Sequence, residues 1–164
     1  MAELRIWTTR RTVKVAAAPK RVFELVADID RWPALFDSIA AVEHLGFAGV
    51  CERVRFTERA GGTRTSVRET NPKRLQVRFR QVDPPAPFAS VGGLWLVVPK
   101  AAGALIALDH YYRVADDDPA TAAGVGRELA ATSTAMLGTL RRTLEFGGMA
   151  DLIASSATPE RESS

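Results

Sequence analysis

The sequence predicts an α+β domain in which a curved antiparallel sheet of about six to seven strands wraps around one long C-terminal helix. Three observations carry this. Alternating, strand-like runs separated by turn residues fill 41–114; a single apolar stripe at helical spacing closes the chain; and two short helical stretches follow the first strand directly. That order leaves a cavity between sheet and helix. The stretch Ala27-Asp28-Ile29-Asp30-Arg31-Trp32-Pro33-Ala34-Leu35-Phe36 puts two aromatic side chains on one side of its short helix, where Trp32 and Phe36 are expected to help line that cavity.

Taken in order, Arg11 to Ala16 alternates Val13 and Val15 against Thr12 and Lys14, as a strand does. Pro19 suits the first turn of a helix, where its missing N–H has no partner to lose, and Val22, Phe23, Leu25 and Val26 give that helix a buried stripe. Asp30 is expected to cap the next short helix. Strands follow over 41–47, 50–59, 63–70, 74–82, 91–98 and 105–114. Ala60-Gly61-Gly62 and Pro99 to Gly103 read as hairpin connections, Asn71-Pro72 closes a strand, and Asp83-Pro84-Pro85-Ala86-Pro87 is a rigid loop that cannot join a sheet. Asp116-Asp117-Asp118-Pro119 opens the long helix with carboxylates at the positive end of its dipole. Its stripe is Val125, Leu129, Thr132, Met136, Leu140 and Leu144, and Gly147-Gly148 stops it. Residues 1–10 read as an N-terminal segment, 11–150 as one domain and 151–164 as a disordered tail.

A chain of 164 residues with 46% hydrophobic residues can bury a substantial core, and it has no apolar run of membrane-spanning length. The net charge of +3 comes from 22 basic and 19 acidic residues that are interspersed: Arg53, Arg55 and Arg59 alternate with Glu52 and Glu58 as on a solvated strand. That pattern argues against nucleic acid as a partner. Cys51 is the single cysteine, so no internal disulfide forms, which fits a reducing cytoplasm; the first nine residues hold no apolar signal core. With two histidines and no Cys/His cluster, no zinc site is expected, and GxSxG, P-loop and GxGxxG motifs are absent.

Two strands carry the candidate chemistry. On 63–70, Arg64, Ser66 and Arg68 share one face and Thr65, Val67 and Glu69 the other. If the first set faces the cavity, Arg68 is a buried guanidinium whose planar fork suits a carboxylate, an enolate or a polarised carbonyl; if not, it is ordinary surface. On 105–114, Ile106, Leu108, His110, Tyr112 and Val114 share the more apolar face, which should point inward. His110 there either moves protons near neutral pH or is a core histidine bonded to the backbone. Trp95 follows Gly92-Gly93, which leaves room for a ligand or simply packs. His44 has no evident partner, and a lone Cys51 reads as a small hydrophobe.

Over 11–145 the chain resembles the START-like, helix-grip (SRPBCC, Bet v 1-like) polyketide cyclases, especially bacterial aromatase/cyclases of the tetracenomycin type. The most specific matches are Val13-Lys14-Val15-Ala16-Ala17-Ala18-Pro19 leading into Val22-Phe23, and Asp28 to Phe36; the Trp95 strand and Thr132-Ser133-Thr134-Ala135-Met136-Leu137 are weaker ones. The resemblance implies a protein of antibiotic biosynthesis that folds, cyclises and dehydrates a poly-β-ketone in an apolar cavity. It implies Arg68 holding a ketone or enolate, and His110 with Tyr112 moving protons. Trp32, Phe36, Ile39, Ser66, Arg64, Trp95, Leu108, Thr132, Met136 and Leu140 would contact substrate. It implies no cofactor and no metal, a hydrophobic polyketide-type ligand with an acyl carrier protein as a further partner, and a cytoplasmic location without a membrane span. Three positions depart from the family: Ile39 stands where some cyclases have Tyr, Met136 where some have Asp, and Arg64 in place of an aromatic residue. This thinner acid/base set leaves a second reading open, a non-catalytic protein that sequesters an aromatic or enediyne metabolite and confers self-resistance.

Overall fold

The alternating runs form seven strands: β1 (Trp7–Val15), β2 (Ile39–Ala48), β3 (Cys51–Glu58), β4 (Thr63–Asn71), β5 (Gln76–Val82), β6 (Phe88–Lys100) and β7 (Gly103–Val114). The computed structural model describes residues 3–147. All pairings are antiparallel, in the order β1-β7-β6-β5-β4-β3-β2. Strands β2 to β7 are therefore sequential neighbours, and only β1 crosses over, to pair with β7. Between β1 and β2 lie α1 (Pro19–Ala27), a 3₁₀ turn (Ile29–Arg31) and α2 (Trp32–Leu35); α3 (Pro119–Arg142) follows β7 and ends in a π turn, Thr143–Gly147.

The expected order of elements is present, and most strand ends move by a few residues. The largest change is at β1, which begins at Trp7 rather than Arg11: Trp7 pairs with Tyr112 and Arg10 with Asp109, so part of the segment expected to precede the domain belongs to its sheet. The polar run Thr8-Thr9-Arg10-Arg11 hid this, because its register is held by Arg10, whose guanidinium grips Asp109 at 2.6 and 2.8 Å. Leu75, counted into the fifth strand by alternation, lies just outside it with a φ of 55°. Gly61 and Gly62, at φ 109° and 89°, supply the left-handed backbone that the β3–β4 hairpin needs. Asp118 caps α3 by accepting from the Ala120 N–H at 2.8 Å. The helix stop expected at Gly147-Gly148 reaches the end of the described residues, and the tail expected over 151–164 lies outside them.

The core has two parts. The larger contains Val22, Phe23 and Val26 of α1, Trp32 and Phe36, Val54 and Phe56 of β3, Trp95, Leu108 and the α3 residues Leu137 and Leu140. The smaller contains Val91, Tyr112 and Val114 with Ala122 and Val125, beneath the start of α3. Burying each large apolar side chain here contributes about 1.5–3 kcal/mol. The long helix packs chiefly on β1 and β7, while α1 lies against β5, β6 and β7 and α2 against β2. Among the described residues no helix is long and apolar enough to cross a membrane.

Candidate functional site

On the inner face of the sheet β4 presents Arg64, Ser66 and Arg68. Ser66 and Arg68 are buried and Arg64 is half-buried, so the inward reading of that face holds. Strand register then aligns distant residues in one row across the sheet: Glu52 opposite Arg68, Arg68 opposite Phe79, Phe79 opposite Gly93, and Gly93 opposite His110. Arg68 and His110 thus share a row but stand three strand steps apart, about 14 Å along the sheet at about 4.8 Å per step. Phe79 fills the middle of the row. A side chain at Gly93 would overlap the Phe79 ring and the Asp109 carbonyl, so this glycine makes room for Phe79 and not for a ligand. The ring meets His110 edge-on, with centroids 5.7 Å apart.

Arg68 is only 5% exposed. Its Nη2 donates to the Ala27 carbonyl at 3.3 Å, and its guanidinium carbon lies 5.7 Å from the Trp32 ring centre, but it forms no ion pair among the described residues. Burial lowers its pKa to about 10, partly offset by the Glu52 charge. It stays a cation at neutral pH, and a buried cation with one long hydrogen bond is short of acceptors. This arrangement favours any ligand that brings a negative or strongly polarised oxygen.

At the other end of the row, His110 Nδ1 lies 3.4 Å from Ser133 Oγ. Burial, reinforced by the charge of Arg64 and weakly opposed by Asp109, pushes its pKa down to about 4. The imidazole is neutral at pH 7 and presents an acceptor nitrogen. Arg64 stands over Phe56 with its guanidinium carbon 5.2 Å from the ring centre and its Nε 3.6 Å from Glu58; burial lowers its pKa and Glu58 raises it. A cleft of about 460 Å³ lies at the β3–β4 hairpin end of the sheet, lined by Glu58, Arg64 and Gln81 and also by Arg53, Thr65 and Val82 of the opposite face.

Ser133 escaped the sequence reading, which placed Thr132 in the inward stripe. The structure reverses the two: Ser133 is fully buried and Thr132 is exposed at the edge of the buried arc. One residue is a 100° turn on a helix, and the buried set Ala122, Val125, Gly126, Ala130, Ser133, Leu137 and Leu140 centres the arc on Ser133. Met136 is partly buried against the main core, and Leu140 is inside it.

The expected pocket aromatics are brought together. Trp32 meets Phe36 edge-on at 5.3 Å, stacks on Phe56 at 5.5 Å and meets Trp95 at 6.1 Å. With Ile39 and Leu108 they belong to the main core. The partly open inner surface is made by Arg64, Phe79, Gln81 and His110. Tyr112 stands apart from Arg68: its hydroxyl donates to the Ala122 carbonyl at 2.9 Å in the smaller core, and Gly126 leaves space for that hydroxyl. Burial raises its pKa.

His44 and Asp30 also differ from expectation. Asp30 sits in the 3₁₀ turn, and no side chain caps α2. Its Oδ1 instead lies 2.6 Å from His44 Nε2, while His44 Nδ1 lies 2.6 Å from Glu52 Oε2. The hydrogen bonds to Asp30 and then Glu52 raise the His44 pKa. A carboxylate on each side of an imidazolium outweighs a helix cap, because both bonds are charge-assisted.

A seven-stranded sheet gripping one long helix defines a helix-grip domain. The chain belongs to the polyketide cyclase / dehydrase and lipid transport family, whose profile matches residues 7–145. It is 38% identical over 154 residues to a granaticin polyketide synthase bifunctional cyclase/dehydratase of Streptomyces violaceoruber, covering 92% of this chain and 48% of that protein. The Zhui aromatase/cyclase of Streptomyces sp. R1128 superposes with a TM-score of 0.69 at 26% identity, covering 88% of this chain and 99% of that one. A START superfamily protein of Mycobacterium smegmatis shares the fold, with a TM-score of 0.68 at 18% identity, over 84% of this chain and 96% of that one. The chain spans about half the length or less of the curated relatives it matches.

Proposed function

We propose that this domain is a polyketide cyclase/aromatase that closes and dehydrates a ring in a poly-β-ketone laid across the inner face of the sheet. The observation that carries the reading is Arg68, a buried cation with one long hydrogen bond and no ion pair among the described residues. An aldol closure moves a proton from the carbon between two carbonyls to a base. The enolate carbon then attacks a second carbonyl, and water leaves with a further proton transfer. Arg68 stabilises the enolate or polarises the attacked carbonyl, as preorganised charge does in a site closed to water. His110, neutral at pH 7, accepts a proton. With about 14 Å between the two along the sheet, an extended chain spans them over Phe79, with Arg64 and Ser66 beside it and Trp32, Phe36 and Trp95 near the Arg68 end. The family match and the aromatase/cyclase likeness over nearly the whole of a single chain support this reading.

The substrate class is a hydrophobic poly-β-ketone, delivered by an acyl carrier protein in the cytoplasm; the single cysteine agrees with that compartment. The test is product analysis with the purified protein and a carrier-bound or thioester poly-β-ketone. Arg68→Ala, checked to be folded, is expected to lose the cyclised product, whereas an unchanged product distribution overturns the assignment. Tight binding of a finished aromatic metabolite without turnover of any polyketone would favour the sequestration reading.

A further inference from the structure

Glu52 and Arg68 are direct neighbours on adjacent strands and point to the same face, with about 5 Å between their Cβ atoms by sheet geometry. A carboxylate and a buried guanidinium so placed have every electrostatic reason to pair. They do not pair. Glu52 Oε2 accepts from His44 Nδ1 at 2.6 Å, and the far nitrogen of the same ring donates to Asp30 Oδ1 at 2.6 Å. Arg68 turns the other way, to the Ala27 carbonyl at 3.3 Å. Asp30 and Ala27 belong to the same stretch between β1 and β2, so both ties hold one segment of chain against the sheet.

We infer that His44 is a positioning residue: by holding Glu52 it keeps that carboxylate off Arg68, and it leaves the guanidinium free for a substrate oxygen. The inference rests on the cyclase reading above for its consequence in activity, but its structural half stands on the register and the two hydrogen bonds alone. Asp30 completes the device. With a carboxylate on each nitrogen, the ring donates from both and is held as a cation, which is the form that competes best with Arg68 for Glu52. Both charged neighbours of His44 are acidic, and Arg68 lies beyond Glu52.

The experiment compares the intact chain with His44→Ala, His44→Asn, Glu52→Gln and His44→Ala/Glu52→Gln, measuring the rate of cyclised product and the Arg68 Nε–H signal by NMR. His44→Ala is expected to lower the rate about tenfold or more, with the Arg68 signal moving to an ion-paired position. Asn keeps an N–H donor near the place of Nδ1, so His44→Asn should stay within about threefold of the unsubstituted chain. Removing the competing carboxylate should cancel the defect, so the double variant returns to the rate of Glu52→Gln. Should His44→Ala not fold, His44→Phe, which keeps the ring volume, replaces it with the same expectation. A double variant as slow as His44→Ala overturns the inference, as does an Arg68 signal that stays put in His44→Ala. If no form, substituted or not, makes cyclised product, the cyclase reading fails while the Arg68 signal still decides whether His44 keeps Glu52 away.

Discussion

The chain has two histidines, and its structure shifts them in opposite directions, which makes their titration an unusually clean test of the site. His110 falls to about 4 because burial and the Arg64 charge disfavour its cation. Its folded pKa lies below the unfolded one, so between pH 6.5 and 4 the unfolded chain binds the extra proton and stability is lost as pH falls through that window. The gap between about 4 and the ordinary 6.5 corresponds to about 3 kcal/mol, and because the ring is partly open to solvent about 2 kcal/mol is the better expectation. His44 behaves oppositely: its raised pKa contributes stability that is fully present below 6.5 and is lost as pH rises through the folded value. The assay is urea unfolding at pH 7 and pH 4.5 of the unsubstituted chain and of His110→Asn, alongside an NMR titration of both imidazoles. Between those pH values the unsubstituted chain should lose about 2 kcal/mol more than the variant. A His110 signal that titrates at or above 6.5, or equal losses in the two proteins, would refute the argument that this ring is held neutral beside Arg64.

Two further predictions probe the row and its neighbour. Tyr112→Phe removes only the hydroxyl bonded to Ala122, so it should cost about 1 kcal/mol in unfolding free energy while the cyclised-product rate stays within about twofold; a collapse of the rate with stability intact would return Tyr112 to the reacting set. Gly93→Ala drives a methyl against Phe79 and the Asp109 carbonyl and should cost about 2 kcal/mol or more, with a smaller cost in a Phe79→Ala background. An equal cost in both backgrounds would show that Phe79 is not what the glycine accommodates.

The architecture was legible because strand alternation, the Gly61-Gly62 turn, the proline loop and the α3 stripe each act over a few neighbouring residues. The inward face of Arg64, Ser66 and Arg68 was legible for the same reason, since alternation on one strand settles it once one member is buried. What alternation cannot supply is register between strands. That Arg68, Phe79, Gly93 and His110 form one row depends on three hairpin connections acting together, so the sequence left Gly93 open between room for a ligand and packing, and register decides for packing against Phe79. Thr132 and Ser133 exchanged places because a stripe at steps of three and four leaves its centre open by one residue. Asp30, His44 and Glu52 come from a turn and two strands, and nothing local announces that they meet. The role of Tyr112 was obscured in the same way: its face was right, but its partner sits on α3.

In the proposed reaction Arg68 and His110 address the two ends of one reacting chain across the inner face of the sheet. A crystal structure with a stable poly-β-ketone mimic tests it most directly. A carbonyl oxygen of the mimic is expected within hydrogen-bonding reach of the Arg68 guanidinium, with the chain lying over Phe79 and its far part beside His110. A mimic bound on the outer face of the sheet, or one bound inside with Arg68 still turned to Ala27 and no oxygen near it, would contradict that account.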